Sequence, residues 1–433
     1  MKKFSPVQIA LLIYAFVIPF QRIIFSSWFL HKFQIPEIVF LVLLILSTFH
    51  AKPKIKFHFS FLPIILFTAW SIVSISFHYS KSSLLEGVGL LYLFILGAIT
   101  AWVVSISDRV FLNWLIKAFI LGIAINCFFA VVGFLFLYNG IENGWGREYV
   151  DYPIIGTVYR MEGFTSHPIM LSNLAICALL LSLAVFEKNR KFILSLLLIG
   201  IGLSLTKSIL SGLAAMIIVY HDKIATRFRI SSTLILILVI SILFVKEYLT
   251  HFTIPITDQQ ADKLSNTLYW GGDIKIPINK DYSIFNTVYF QLKGSSFEAF
   301  LEHPMTGVGG GSSNAYNLEK VNAGLLPETV KKFDPHSSVL GILAEFGIIG
   351  FSLIVLSFIF LFKILHRLLK EGDTKLVLSL LAAFLFIVFE SFSADVLNYR
   401  HLWLLGGIVY GIYFSSLVSA NAQRPAEFYL DNR

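Results

Sequence analysis

Asp334-Pro335-His336-Ser337-Ser338 leads into an apolar stretch that runs from Val339 through Gly350 to Phe362. A histidine therefore stands where a long hydrophobic helix begins. The segment before it, roughly Thr250 to Phe333, is the longest polar one in the chain. Pro335 suits the first helical position and Asp334 suits the cap. On that reading His336 lies in the first turn, near the positive end of the helix dipole, where the imidazolium is disfavoured and a neutral imidazole stays available as a base. Phosphate oxygens are welcome at the same place. The residues equally suit a capped membrane helix whose histidine merely sits at the interface.

Working outward, composition decides the class. Of 433 residues, 56% are hydrophobic and only 14% are charged, and the mean hydropathy is +0.77. A soluble surface cannot carry that apolar excess. A bilayer core takes about 20 apolar residues per helix, and such runs recur from end to end. The sequence is that of an all-α polytopic membrane protein. The net charge of +8 fits basic cytoplasmic loops better than nucleic acid, and no nucleic-acid partner is expected. The first apolar run lacks a small-residue cleavage site and reads as a first span. Cys127 and Cys177 both lie inside apolar runs, so neither a disulfide nor a metal site follows.

Spans are expected over Val7–Phe25, Pro36–Phe49, Phe59–Phe77, Leu84–Ile106 and Val110–Tyr138, with Asp108-Arg109 as a short inner turn. An outer loop, about 139–167, holds Arg147, Glu148, Asp151, Arg160 and Glu162. The sixth span is Pro168–Phe186. Phe192 to Tyr220 is long for one span and short for two. Thr206-Lys207-Ser208 and Ser211-Gly212 mark a break there, giving two short helices that meet near the outer side. The ninth span is Ser231–Phe244. A loop from Lys246 to Asp334 is too long for a simple connector and reads as functional or as a small folded cap. The last three spans are the His336 helix, Lys375–Ser393 and His401–Val418, with Asp395 to Arg400 as a short outer turn.

Placing every basic cluster on one side gives about twelve spans with both ends cytoplasmic. The organisation is then an N-terminal bundle (1–249), a periplasmic loop domain (250–335), C-terminal helices (336–420) and a cytoplasmic tail (421–433).

Charged groups at membrane depth are costly and usually functional. The outer-side candidates are Arg22, Arg160, Lys207, Lys293, His336, Asp395 and Arg400. Most are cations, and a vestibule lined by Arg and Lys beside a helix start suits an anionic headgroup such as a pyrophosphate. Interfacial snorkelling accounts more simply for Arg22 and Arg400. His303-Pro304-Met305-Thr306-Gly307-Val308-Gly309-Gly310-Gly311 allows close backbone approach to a ligand, but no lysine follows its glycines and no strand precedes them, so it is not a nucleotide loop. There is no DxD pair to hold a sugar nucleotide and its metal, and no cofactor is called for. An enzyme here needs a donor already in the membrane. Glu345 is too far down the helix to pair with His336, and packing or a polar cavity is its expected role.

These residues resemble a known family. His336-Ser337, nine residues, Gly347, two residues and Gly350 fit the H-[NSQ]-x9-G-x2-[GTY] pattern of bacterial O-antigen ligases. His303 to Gly311 looks like the family's hP-x-x-G-x-G segment, with Gly307, Gly309 and Gly310 in its glycine-rich part. Arg160-x2-Gly163-Phe164-x2-His167-Pro168 looks like its R-x2-G-x-x-x-H-P segment. The family also includes O-antigen polymerases and protein O-oligosaccharyltransferases. The resemblance implies a GT-C-like membrane fold with a periplasmic loop domain between spans nine and ten. It implies an inner-membrane enzyme whose site faces the periplasm. The implied donor is a glycan on undecaprenyl pyrophosphate, moved whole, with inversion and without metal, to a glycan or lipid acceptor such as lipid A-core. His336 would take the acceptor proton, and Arg160, Lys207, Lys293 and Arg400 would hold the pyrophosphate.

Two positions depart from the family. Lys207 stands at the turn where ligases carry an arginine, keeping the charge but losing the bidentate fork. The second ligase arginine, in the long loop, falls by spacing on Tyr289, and Lys293 is the nearest cation. A repeat-unit polymerase of the same family is therefore a second reading. A transporter of lipid-linked glycan is a third, but it calls for polar residues spread through the membrane, whereas here they gather on the outer side.

Overall fold

The computed structural model describes residues 3–22, 34–50, 58–76, 81–152, 156–186, 190–221, 288–326, 335–371 and 374–422, together with three short strands. The helices in chain order are α1 (Pro6–Val17), α2 (Ile35–His50), α3 (Leu62–Ser74), α4 (Lys81–Ser105), α5 (Arg109–Tyr138), α6 (Pro168–Val185), α7 (Arg190–Ser204) and α8 (Ser208–Tyr220). They continue with α9 (Val288–Glu302), α10 (Ser313–Asn322), α11 (Ser338–Glu371), α12 (Thr374–Glu390) and α13 (Arg400–Ala422). Four of these, α4, α5, α6 and α11, are long and apolar enough to cross a membrane, and several others are shorter apolar helices. The chain is thus a helical membrane protein. The expected ninth span, Asp334, most of the loop before α9 and the C-terminal tail beyond 422 lie outside the described residues.

Local chemistry sets the helix starts. Ser5 caps α1 in a reciprocal box with Gln8. Asp108 caps α5 by accepting from the Phe111 N–H at 2.9 Å, as a turn at Asp108-Arg109 implies. Outward faces carry exposed Ile9, Ile13, Leu41, Val42, Ile45, Leu121 and Ile125, as a bilayer requires and water does not permit. Inward, helices approach over small residues, since lipid gives apolar side chains little reason to associate. Along α4 and α13, a side chain at Gly407 or Gly411 would strike Gly97, Thr100, Ala101 or Val104. Against α1, one at Gly122 of α5 would strike the Phe16 carbonyl.

Among the described residues, two connections carry strands. The loop after α5 folds into an antiparallel hairpin, β1 (Gly146–Tyr152) and β2 (Gly156–Met161), with Arg147 opposite Arg160. Within the long loop, β3 (Phe252–Thr253), β4 (Lys275–Pro277) and β5 (Ser283–Phe285) form a small sheet in the order β3-β5-β4. The first helix is also shorter than expected. It ends at Val17 rather than reaching Phe25, because the backbone turns at Phe20 and Gln21 and hydrogen-bonds Phe164 through the Gln21 and Arg22 amides.

The His336 helix differs most from expectation. It begins at Ser338, not at Pro335, and His336 precedes it with φ 50. Ser337 is the effective cap, its Oγ accepting from the Leu340 N–H at 3.4 Å. Nine residues farther on, α11 breaks at Gly347, whose φ 63 and ψ −167 belong to glycine alone. The segment His303 to Gly309 fills the break. Val308 N–H donates to Ala344 O at 2.8 Å, Gly309 N–H to Glu345 O at 3.0 Å, and Ile348 N–H to Pro304 O at 2.8 Å. Trp70 of α3 caps the interrupted ladder by donating to Phe346 O at 3.0 Å. Side chains at Gly307 or Gly347 would collide with the facing backbone at Glu345–Phe346 or Met305–Thr306. The close approach those glycines permit is thus made to α11 itself.

Gly347→Ala is expected to destabilise the fold by more than about 2 kcal/mol, the sum of strain and collision. Gly406→Ala, facing open space within a helix, should be neutral. Thermal melting of the two purified variants in one detergent checks the contrast; equal melting temperatures would remove the break from the account.

Candidate active site

The start of α11 is stitched to the turn between α12 and α13. Ser338 N–H donates to Ala394 O at 3.0 Å. Its hydroxyl contacts Ala394 O at 3.0 Å and Asp395 Oδ1 at 3.2 Å, and it accepts from Val396 N–H at 2.6 Å. Ser337 Oγ donates to Ser391 O at 3.3 Å. These bonds hold the half-buried His336 in its irregular backbone. The same turn gathers two other elements. Lys293 of α9 donates to Phe392 O at 3.2 Å. Ser208, the first residue of α8, donates to the buried Glu390 at 2.6 Å. Lys207, exposed at the cap position of α8, is thereby fixed beside the turn. The break that the sequence indicates near Lys207 is real: α7 ends at Ser204, Leu205 takes φ 47, and α8 starts at Ser208.

The hairpin closes the other flank. Arg160 on β2 donates through Nε to Ser204 O at 3.3 Å, at the end of α7 and three residues before Lys207. Its cross-strand neighbour Arg147 pairs with Glu162 at 2.5 Å, and Arg22 pairs with the other oxygen of the same carboxylate. Glu162 is buried, and that burial raises its pKa against the lowering pull of Arg22 and Arg147. Gly163, at φ 58, lies against Asn126 of α5, whose Oδ1 accepts from the Phe164 N–H at 2.6 Å. His167 then caps α6 through Nδ1, which accepts from Ile169 N–H at 3.3 Å, and Pro168 is the first helical residue. The His167 ring reaches the surface, yet the protein packed around it, with Arg160, Arg147, His336 and Arg22, holds its pKa down to about 4.

Of the residues singled out in the sequence, Arg160, Lys207 and Lys293 come to elements that meet around the His336 turn. Arg400 is held elsewhere: its guanidinium contacts Glu37 at 2.5 and 2.8 Å and Gln34 at 3.0 Å. Gly307, Gly309 and Gly310 lie in the segment that clasps α11, with Gly310 N–H donating to Ser74 at 3.3 Å. Tyr289 shares α9 with Lys293, one turn earlier. Glu345 accepts from Ser313 of α10 at 2.7 Å, a packing role. Arg147, Glu162 and His167 also border this cluster. Their signal was present in the β-branched and aromatic run around Pro153 and Gly156, which predicts a hairpin. Among the described residues, no three His, Cys, Asp or Glu side chains are grouped to hold a metal ion.

His167 makes the fold acid-sensitive. Its folded pKa of about 4 lies below the unfolded value of about 6.5. Between them the unfolded chain binds more protons, so this contribution is fully present above the unfolded value and fades as pH falls toward the folded one. His167→Asn retains a capping oxygen and leaves Glu162 in place. It should flatten the fall in melting temperature over that window, and an unchanged slope would assign the sensitivity to another group.

Residues 171–355 match a family model described as O-antigen ligase. No curated protein matches the chain significantly. The matched residues run from the first turn of α6 into α11, past the break at Gly347, so this part of the chain is similar to O-antigen ligases.

Proposed function

We propose that the protein is an inner-membrane glycosyltransferase that moves a glycan whole from undecaprenyl pyrophosphate to an acceptor hydroxyl, at a site facing the periplasm. The observation that carries this reading is that the His336 segment and the elements bearing Lys207 and Lys293 are bonded to one stretch, Glu390 to Phe392, with Arg160 bonded to the end of α7 three residues before Lys207. A base beside cations is what transfer from a diphosphate donor requires. His336 removes the acceptor proton, the acceptor oxygen attacks the anomeric carbon from the face opposite the diphosphate, and the carbon–oxygen bond to the diphosphate breaks. Undecaprenyl pyrophosphate leaves with the bonding electrons, its new charge balanced by the cations. No step calls for a metal. Arg400, engaged by Glu37, would have to give up that pair to join them, and the proposal rests on the other three.

The acceptor is proposed to be lipid A-core or a similar saccharide, in line with the ligase description of the matched family. Surface glycan in a deletion strain tests this. Free core with long lipid-linked chains is the expected result, whereas core carrying a single repeat unit would establish a polymerase instead. In the same strain His336→Ala should lower transfer by about 10²-fold or more at unchanged expression, and retained activity would dismiss it as the base. Lys207→Arg should support transfer better than Lys207→Ala; equal activity in both and in the unmodified protein would remove Lys207 from the site.

A further inference from the structure

His167 has a fixed tautomer. Its Nδ1 accepts the Ile169 N–H at the start of α6, and a neutral imidazole that accepts at one nitrogen carries its proton on the other. Nε2 is therefore a donor. Among the described residues it has no hydrogen-bond partner, and the ring lies at the exposed lip of the cluster. The residues just before it form the turn ion-paired to Arg22 and Arg147, and Arg160 bonds the end of α7 beside Lys207. Pro168 follows, and its fixed φ at the first helical position holds the cap.

From this geometry we infer that His167 contacts the substrate as a neutral N–H donor to the diphosphate of the lipid-linked glycan. The inference rests on the transferase reading above. The surrounding charges support it: with Arg160, Arg147 and Arg22 nearby, and a pKa of about 4, the ring stays uncharged at neutral pH. It adds a directed hydrogen bond where the arginines add charge. Its rigid link to the backbone aims that donor without the rotamer entropy that a lysine or arginine loses on binding.

The cap and the donor belong to different nitrogens, so two substitutions separate them. Asparagine places an oxygen near the Nδ1 position and nothing at Nε2. Glutamine reaches the Nε2 position with an amide N–H and gives up the cap. The experiment measures binding of undecaprenyl pyrophosphate to the purified full chain in nanodiscs, with undecaprenol as the uncharged control and a thermal melt of each sample. His167→Asn should keep the melting temperature and lower the preference for the diphosphate lipid about tenfold. His167→Gln should melt lower and keep that preference within about threefold. Affinity that follows the melting temperature across both variants, or an unchanged preference in His167→Asn, overturns the inference and leaves the transferase reading standing. Failure of the unmodified protein to prefer the diphosphate lipid overturns both. Displacement of the lipid by an equal concentration of inorganic pyrophosphate would overturn the lipid-linked source in favour of a free diphosphate.

Discussion

The Ser338 hydroxyl joins the first residue of α11 to the turn that follows α12, contacting Ala394 and Asp395 and accepting from Val396. That contact matters because of the residue two places earlier. A non-glycine residue at φ 50 is strained, at a cost of order 1–2 kcal/mol, and such a conformation persists only where its surroundings over-determine it. Here the serines after His336 are both bound to the turn. Glu390 and Phe392, on the same stretch, receive Ser208 and Lys293. One short turn thus fixes the backbone of the histidine and the positions of two cation-bearing elements. Shifting it would move all three together.

The three motif segments acquire one physical meaning. Each is a place where two distant pieces of backbone come closer than side chains allow, or where a helix end is closed by an unusual residue. Gly347 breaks α11 and admits the Pro304–Gly309 strand of chain, whose amides replace the helical partners lost at the break. Gly163 turns the chain beneath Asn126. His167 and Pro168 start α6. The glycines shape the backbone, and the histidines and arginines between them are the polar groups on which the proposed site draws.

The helical framework was legible because lipid imposes a simple rule: apolar runs of sufficient length, with basic residues between them. The boundaries of α4, α5 and α6 fall within a few residues of their apolar runs. The Lys207 break was legible because a charge and two hydroxyl residues interrupt a hydrophobic run. What misled was the start of α11. Pro335 is a good first helical residue by propensity, but the tertiary bonds of Ser337 and Ser338 to the turn hold the chain out of helix until Ser338. The role of Arg400 was equally hidden, since its partner Glu37 lies at the other end of the chain. Pairing across hundreds of residues leaves no trace in local pattern.

The hairpin bears most directly on the departures from the ligase pattern. Arg147 and Arg160 stand directly opposite each other on β1 and β2, an arrangement that like charges make unfavourable by themselves. Glu162 relieves it in part, but that carboxylate is shared with Arg22. Two guanidinium groups thus share one acid whose own charge burial opposes, and Arg160 stands on the facing strand. Positive charge is thus in local excess at the hairpin, and an anion such as a diphosphate is a ligand that would balance it. If the proposed diphosphate donor binds here, the planar guanidinium forks of the hairpin are the groups suited to bidentate contact, and Lys207 can add charge alone.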